Sequence, residues 1–408
     1  MTSERWAARP TARAVILGAA FFAVLFPTSI GGAISPLLDR LSILFNVAVF
    51  AALLVVGRCV GSRLQAMVSV AILGWLSTLT LLSPHARLAP GLVAMFVALA
   101  LMLATNTKAV TDRQATKRTL ACINVFALAI GAALCFDLQW ADRFIKAYYT
   151  AFYPTIHISM LDWHDKPVLT FATHSIAGFF YYLFFYLNFR TYAVTGSGAA
   201  LAAAVGHIAL GLALRSTTGS ILLTLAAGQL AVAVYRRHGR QVAWLPLVAP
   251  VVIVGLLVSQ ADRLLASIEP VREIVVGTES SGLLSRYSST GMLGGNLRYL
   301  NDSPFSPLGF NYGLEHDLFY GDSGFIQFLL RGSLPLVLLV YGGLYGFLRS
   351  NLRSRTDVRW LYIVILAFDL GIVSLFSFRI TSFLVFMIVY LNSLERSRST
   401  GVQAEHHA

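Results

Sequence analysis

Apolar runs recur along nearly the whole chain, separated by charged or Pro/Gly-rich breaks. They fall near 14–33, 41–57, 64–83, 88–105, 119–136, 170–189, 198–214, 218–235, 242–259, 324–348, 359–377 and 380–393. At about 1.5 Å per residue, a helix of about 20 such residues crosses roughly 30 Å of hydrocarbon, so the pattern predicts about twelve transmembrane helices. Two connections are long, 137–169 and 260–323, while the others are tight turns. In the first, Trp140, Phe144, Ile145, Tyr148, Tyr149 and Phe152 recur at spacings of three and four, opposite Asp142, Arg143 and Lys146. That spacing predicts either an amphipathic helix on the membrane surface or a plain aromatic anchor at the interface.

Composition points the same way. Of the 408 residues, 57% are hydrophobic and 12% charged, too little polar surface to cover a soluble globule of this size. The expected fold is an all-α integral membrane bundle, a single polytopic domain over 1–408, with a large, partly helical loop between spans nine and ten. The net charge of +12 reports loop sorting, not nucleic-acid binding. Nineteen of the 31 basic residues fall in alternate connections, from Arg5, Arg9 and Arg13 to Arg396 and Arg398. The positive-inside rule then puts both termini in the cytoplasm and both long segments outside.

The first run has no clear small-residue cleavage site and reads as a retained helix. Cys59, Cys122 and Cys135 form neither a disulfide framework nor a zinc spacing. The segment HISMLDWHDKP, 157–167, carries His157, Asp162, His164 and Asp165, which suit either a metal or a loop lid. No G-x-x-x-x-G-K-[ST] occurs and the cytoplasmic loops are short, so any substrate must bring its own energy.

The densest polar chemistry lies between 260 and 332. Arg286, with Tyr287 beside it, and Arg298 flank an expected helix whose apolar members are Met292, Leu293, Leu297 and Leu300. Arg215 sits near the outer boundary beside Ser216, Thr217, Thr218 and Ser220. Permanently charged, planar guanidinium groups grip diphosphate oxygens bidentately, so outward arginines suggest a lipid-diphosphate head group. Salt bridges to Glu279, Asp302 or Glu315, and snorkelling of Arg215, are the structural alternatives. In LEHDLFYGDSGF, 314–325, His316, Asp317 or Asp322 is placed to orient or deprotonate an acceptor hydroxyl. Asp322 with Ser323 equally suits a helix cap. Arg331, two turns into the tenth span, must face protein or an aqueous cavity and is read either as a substrate contact or as an ion pair with Asp369.

With these residues in place, the chain resembles the bacterial O-antigen polymerase and ligase superfamily, the Wzy-type, GT-C-like integral-membrane glycosyltransferases. The resemblance covers roughly 160–350. It rests on Lys166-Pro167 through Thr170-Phe171 and His174, the turn from Arg215 to Ser220, Arg286 with Pro307 and Gly309, and Asp322-Ser323-Gly324 with Gly332. The D-S-G form is similar to polymerases more than to ligases. By resemblance, Arg215 and Arg286 would hold diphosphate, and His316 or Asp322 would serve the acceptor. Tyr287, Lys166, His174, Asp317, Arg298 and Arg331 would line the substrate.

The implied activity is polymerisation of undecaprenyl-diphosphate-linked oligosaccharide on the periplasmic face of the inner membrane. No metal or other cofactor would be involved, and no D-x-D occurs. Partners would be the lipid-linked glycan, membrane lipid and a chain-length regulator or export complex. Ligation of glycan to lipid A core is the same-class alternative. A secondary transporter or flippase is the alternative from another class, with a faint likeness of GRCVGSRLQ, 57–65, to the basic loop of major-facilitator carriers.

Overall fold

A computed structural model describes residues 3–26, 36–83, 87–152, 166–171, 173–214, 217–238, 293–302, 307–311, 318 and 323–405. Among them every regular element is helical and no strand occurs. The helices are α1 (Ser3–Leu25), α2 (Pro36–Val55), α3 (Arg63–Leu82), α4 (Pro90–Leu103), α5 (Arg113–Cys135), α6 (Gln139–Phe152) and α7 (His174–Thr195). After these come α8 (Gly198–Ala213), α9 (Thr217–His238), α10 (Gly294–Asp302), α11 (Gly324–Asn351), α12 (Arg355–Asp369) and α13 (Phe378–Glu405). Within α3, α5, α11 and α13 lie four segments long and apolar enough to cross a membrane, which mark a membrane protein.

The chain divides into two compact units. The first comprises Met1–Val125, Phe144–Asp162 and Gly295–Ala408; the second comprises Phe126–Arg143 and Trp163–Gly294. In the first, α13 packs on α1 and α2, and α3 packs on α4 and α11. Phe383, Phe386 and Met387, within the apolar stretch 383–391 of α13, are fully buried.

Polar side chains tie this apolar unit at specific points. Asn351, at the end of α11, accepts from the Thr107 backbone N–H at 2.6 Å through its Oδ1 and donates through Nδ2 to Thr105 O at 3.0 Å. Its own carbonyl accepts from Asn392 Nδ2 at 2.7 Å. Three separate segments are thereby fixed without charge. Thr381 Oγ1 donates to Asn46 Oδ1 at 3.1 Å inside the bundle. Connection 57–62 lies along connection 104–106, with Gly61 N–H on Ala104 O at 2.7 Å and Asn106 N–H on Cys59 O at 2.7 Å.

The second unit is built on α7, whose residues Ile176 to Asn188 are all buried. It packs against α8 and α9. A methyl added at Gly178 would stand 2.9 Å from the Gly219 Cα, so small residues set the approach of α7 to α9. Arg237 of α9 donates to the Tyr192 carbonyl at 3.3 Å and lies 5.6 Å from the Tyr192 ring centroid, placing positive charge at the C-terminal end of α7.

The helices correct several expected boundaries. The first is described from Ser3 to Leu25, not from 14 to 33. The sixth starts at His174 instead of 170, because Val168 to Phe171 form a buried turn with Leu169 at φ 56° before Thr173 caps the helix. The tenth is broken at Gly332–Ser333. The eleventh ends at Asp369, whose side chain takes the Ser374 N–H and turns the chain into a 3-10 segment, Ser374–Phe376. Span 242–259 lies outside the described residues. Segment 139–152 is helical, with Trp140 and Phe144 exposed but Tyr149 buried.

Asn351→Ala is expected to cost about 1–3 kcal/mol by stranding buried backbone groups. A lower unfolding midpoint in detergent would show it, and an unchanged midpoint would exclude the clamp. Asp112 accepts from Ala115 N–H at 2.8 Å and pairs with Arg13, which together hold its carboxyl below the usual range. A depressed carboxyl contributes stability above its unfolded value of about 3.9, and loses it as pH falls through the folded value. Asp112→Asn is thus expected to unfold earlier than wild type at pH 7 and at the same midpoint once both are near pH 2, as read by thermal melts across pH.

Candidate functional site

Helix α11 begins as a half-helix, Gly324 to Arg331, and its interruption organises the region around it. Ser323 caps it, its Oγ accepting from Ile326 N–H at 3.5 Å. After Arg331 the backbone leaves helical geometry at Gly332 (φ −149°) and Ser333 (φ 55°), and Pro335 follows. Proline at 335 has no N–H for the Arg331 carbonyl and would clash with it in a regular helix, so the sequence favours a kink or break here.

A broken helix in apolar surroundings exposes carbonyls that need donors. Here Leu308 N–H donates to Leu330 O and Gly309 N–H to Arg331 O, each at 2.9 Å. Trp75 Nε1 donates to Gly332 O at 2.9 Å. The Arg331 side chain, 1% exposed, returns the contact by donating to Gly309 O at 3.4 Å and to Asn311 O.

Segment Pro307–Asn311 is thus a shelf held from several sides. Phe310 N–H donates to Thr80 Oγ1 at 2.8 Å, Asn311 Nδ2 to Thr80 O at 3.2 Å, and Ala89 N–H to Phe310 O at 2.9 Å. Gly309 has φ 57°, and a methyl there would come within 2.6 Å of the Thr80 N and 2.9 Å of Leu76 O. Only glycine fits, which gives the Pro307-Leu308-Gly309 element a physical meaning.

The other end of the half-helix meets Asp369, which is fully buried. Its Oδ2 accepts from Tyr341 Oη at 2.8 Å and its Oδ1 from Ser374 N–H at 2.7 Å. Ser323 Oγ donates to the Asp369 main-chain carbonyl at 3.3 Å. Phe325 stacks on Tyr341 with centroids 4.6 Å apart, and Phe328 packs edge-on to Tyr341 and to Phe376. The side chains thus join Arg331 to shelf carbonyls and Asp369 to Tyr341 and Ser374.

Of the residues expected at a site, Arg298 is exposed and lies inside α10 instead of at its edge. Lys166 and His174, in the second unit, are half-buried. Arg331 is buried against main-chain carbonyls. Arg215, Arg286, Tyr287, His316, Asp317 and Asp322 lie outside the described residues.

Arg379 escaped the sequence reading. It is fully buried at the start of α13 and donates to the Phe26 carbonyl and, at 3.4 Å, to Tyr148 Oη. Tyr148 in turn donates to Leu25 O at 2.9 Å, tying α6 to the end of α1. An arginine between two apolar runs, spans eleven and twelve, was the available signal. No family model matches the chain, and neither a curated protein nor a solved structure does.

Gly309→Ala is expected to cost about 1–2 kcal/mol from backbone strain alone, with more from the collision at Thr80. Arg331→Met, which keeps length but removes the donors, should lower the unfolding midpoint similarly. Melts of both variants check this, and wild-type midpoints would refute the shelf as a stabilising element.

Proposed function

We propose that this protein polymerises lipid-diphosphate-linked oligosaccharide repeat units, of the O-antigen, capsule or exopolysaccharide type, by metal-independent glycosyl transfer at the outer face of a bacterial inner membrane. One observation carries the reading furthest: Ser323-Gly324, part of one element on which the resemblance rests, opens the half-helix to whose other end Leu308 and Gly309, part of another, are hydrogen-bonded.

In the mechanism proposed, Arg215 and Arg286 neutralise the departing diphosphate, and His316 or Asp322 takes the acceptor hydroxyl proton as the new glycosidic bond forms. The anomeric carbon–phosphate bond breaks, the configuration inverts, and the lipid diphosphate leaves. Lys166, His174, Arg298, Tyr287 and Asp317 line the glycan. About twelve spans with both termini cytoplasmic, and 260–323 facing the periplasm, complete the proposed layout.

A secondary transporter or lipid-linked-sugar flippase is the second reading. It is favoured by the discontinuous α11 and by Asp369 buried at the end of α12, since carriers use broken helices and intramembrane carboxylates.

Purified protein incubated with undecaprenyl-diphosphate repeat units should lengthen glycans. Arg286→Ala and Arg215→Ala are each expected to lower the rate about 100-fold or more, the scale of removing a group that stabilises transition-state charge. Normal lengthening by both variants would refute the site assignment, and movement of substrate across vesicles without lengthening would favour transport.

A further inference from the structure

The half-helix Gly324–Arg331 is held at its N-terminal end by a buried set of groups that no step above uses. Asp369, Ser323 and Ser374 are all fully buried. A methyl on Gly324 would stand 2.7 Å from the Asp369 carboxyl carbon, 2.8 Å from Oδ2 and 3.0 Å from Tyr341 Oη, so the helix backbone rests directly on this carboxylate. Ser323 binds the same residue through its main-chain carbonyl. The Asp369 carboxyl lies beside the helix N-terminus, whose dipole favours negative charge, and two donors, Tyr341 Oη and Ser374 N–H, fix its plane. Tyr341 is itself held between Phe325 and Phe328 of the half-helix. Rotation or sliding of the half-helix about its axis would break all of these contacts together.

We infer that Asp369 and Tyr341 are the positioning residues of the proposed transferase site: they lock Ser323-Gly324, and so set the point from which the peptide bond to Asp322 departs. This rests on the polymerase reading, in which Asp322 is a candidate for acceptor activation. Neither Asp369 nor Tyr341 needs to touch substrate. Their effect is on the placement of the reacting group, so it belongs in turnover and not in donor binding.

The test uses the full chain in lipid nanodiscs with two readouts. In the first, Asp369→Asn and Tyr341→Phe are compared with wild type for glycan lengthening over a range of undecaprenyl-diphosphate repeat-unit concentration. The expected result is a kcat about 10- to 100-fold lower, with KM unchanged within about twofold, the scale of a misplacement near 1 Å. In the second, Asp322→Cys is labelled with a membrane-impermeant maleimide in wild-type, Asp369→Asn and Tyr341→Phe backgrounds. Asp302→Cys serves as reference.

The labelling rate at 322 is expected to change at least about threefold, with the rate at 302 unchanged; such a change follows from a shift of local opening of well under 1 kcal/mol. Tyr341→Phe keeps the ring packing and removes one hydroxyl, so it remains informative if Asp369→Asn fails to fold. Unchanged labelling at 322 in a folded variant would overturn the inference, as would altered labelling with undiminished kcat. If wild-type protein lengthens no glycan, the polymerase reading fails, while labelling at 322 still decides whether the two residues set this backbone.

Discussion

The interruption of α11 is the constraint around which the first unit is arranged. Pro335 removes the N–H that would pair with the Arg331 carbonyl and crowds that carbonyl, and apolar surroundings make unpaired carbonyls costly. Both conditions are met only because 307–311 supplies two backbone N–H groups and Trp75 supplies a third. The shelf in turn needs its own support, which comes from Thr80 at the end of α3 and from Ala89 at the start of α4. One proline thus reaches, through successive hydrogen-bond requirements, into three separate stretches of chain: 307–311, α3 and the start of α4.

Buried charges in this unit are handled in a consistent way. Arg331 faces the carbonyls of Gly309 and Asn311, Arg379 faces that of Phe26, and Asp369 faces a phenol and a backbone N–H. In these contacts each of the three ions is met by oriented dipoles, which compensate its charge. Main-chain dipoles are free for this where a helix ends or breaks. The charged residues therefore mark helix ends and breaks: Arg331 at the kink of α11, Asp369 at the last turn of α12 and Arg379 at the first turn of α13.

Periodicity and apolar length located helices at eleven of the twelve expected runs, since any stretch that avoids water must satisfy its backbone internally. What they could not reveal is how a helix ends. The run 359–377 reads as continuous because Leu370, Ile372, Val373 and Leu375 are apolar, yet Asp369 captures Ser374 N–H and turns the chain. Pro335 and Gly332 were visible as breakers inside 324–348, but the donors that make a break tolerable come from residues about 25 and 260 positions away, a pairing no local pattern carries. Among site residues, the capping role of Ser323 was legible from its place before Gly324, whereas Arg331 could be read only as facing protein or a cavity, and its partners are main-chain carbonyls instead of Asp369. Arg298 looked like the edge of a helix because Asn301 and Pro304 dominate the local signal, whereas α10 runs through it to Asp302.

Asp369 also bears on where an anion could be held. A helix N-terminus is a natural phosphate site, and Ser323-Gly324 leads into one inside the region of densest polar chemistry. In this protein the Asp369 carboxyl already lies against the first residue of that helix, where negative charge disfavours a second anion. A diphosphate bound by this chain would therefore depend on guanidinium and ammonium groups, not on the α11 N-terminus. In the proposed mechanism, leaving-group recognition would then fall to Arg215 and Arg286, and the half-helix would have the separate task of holding the acceptor side in register.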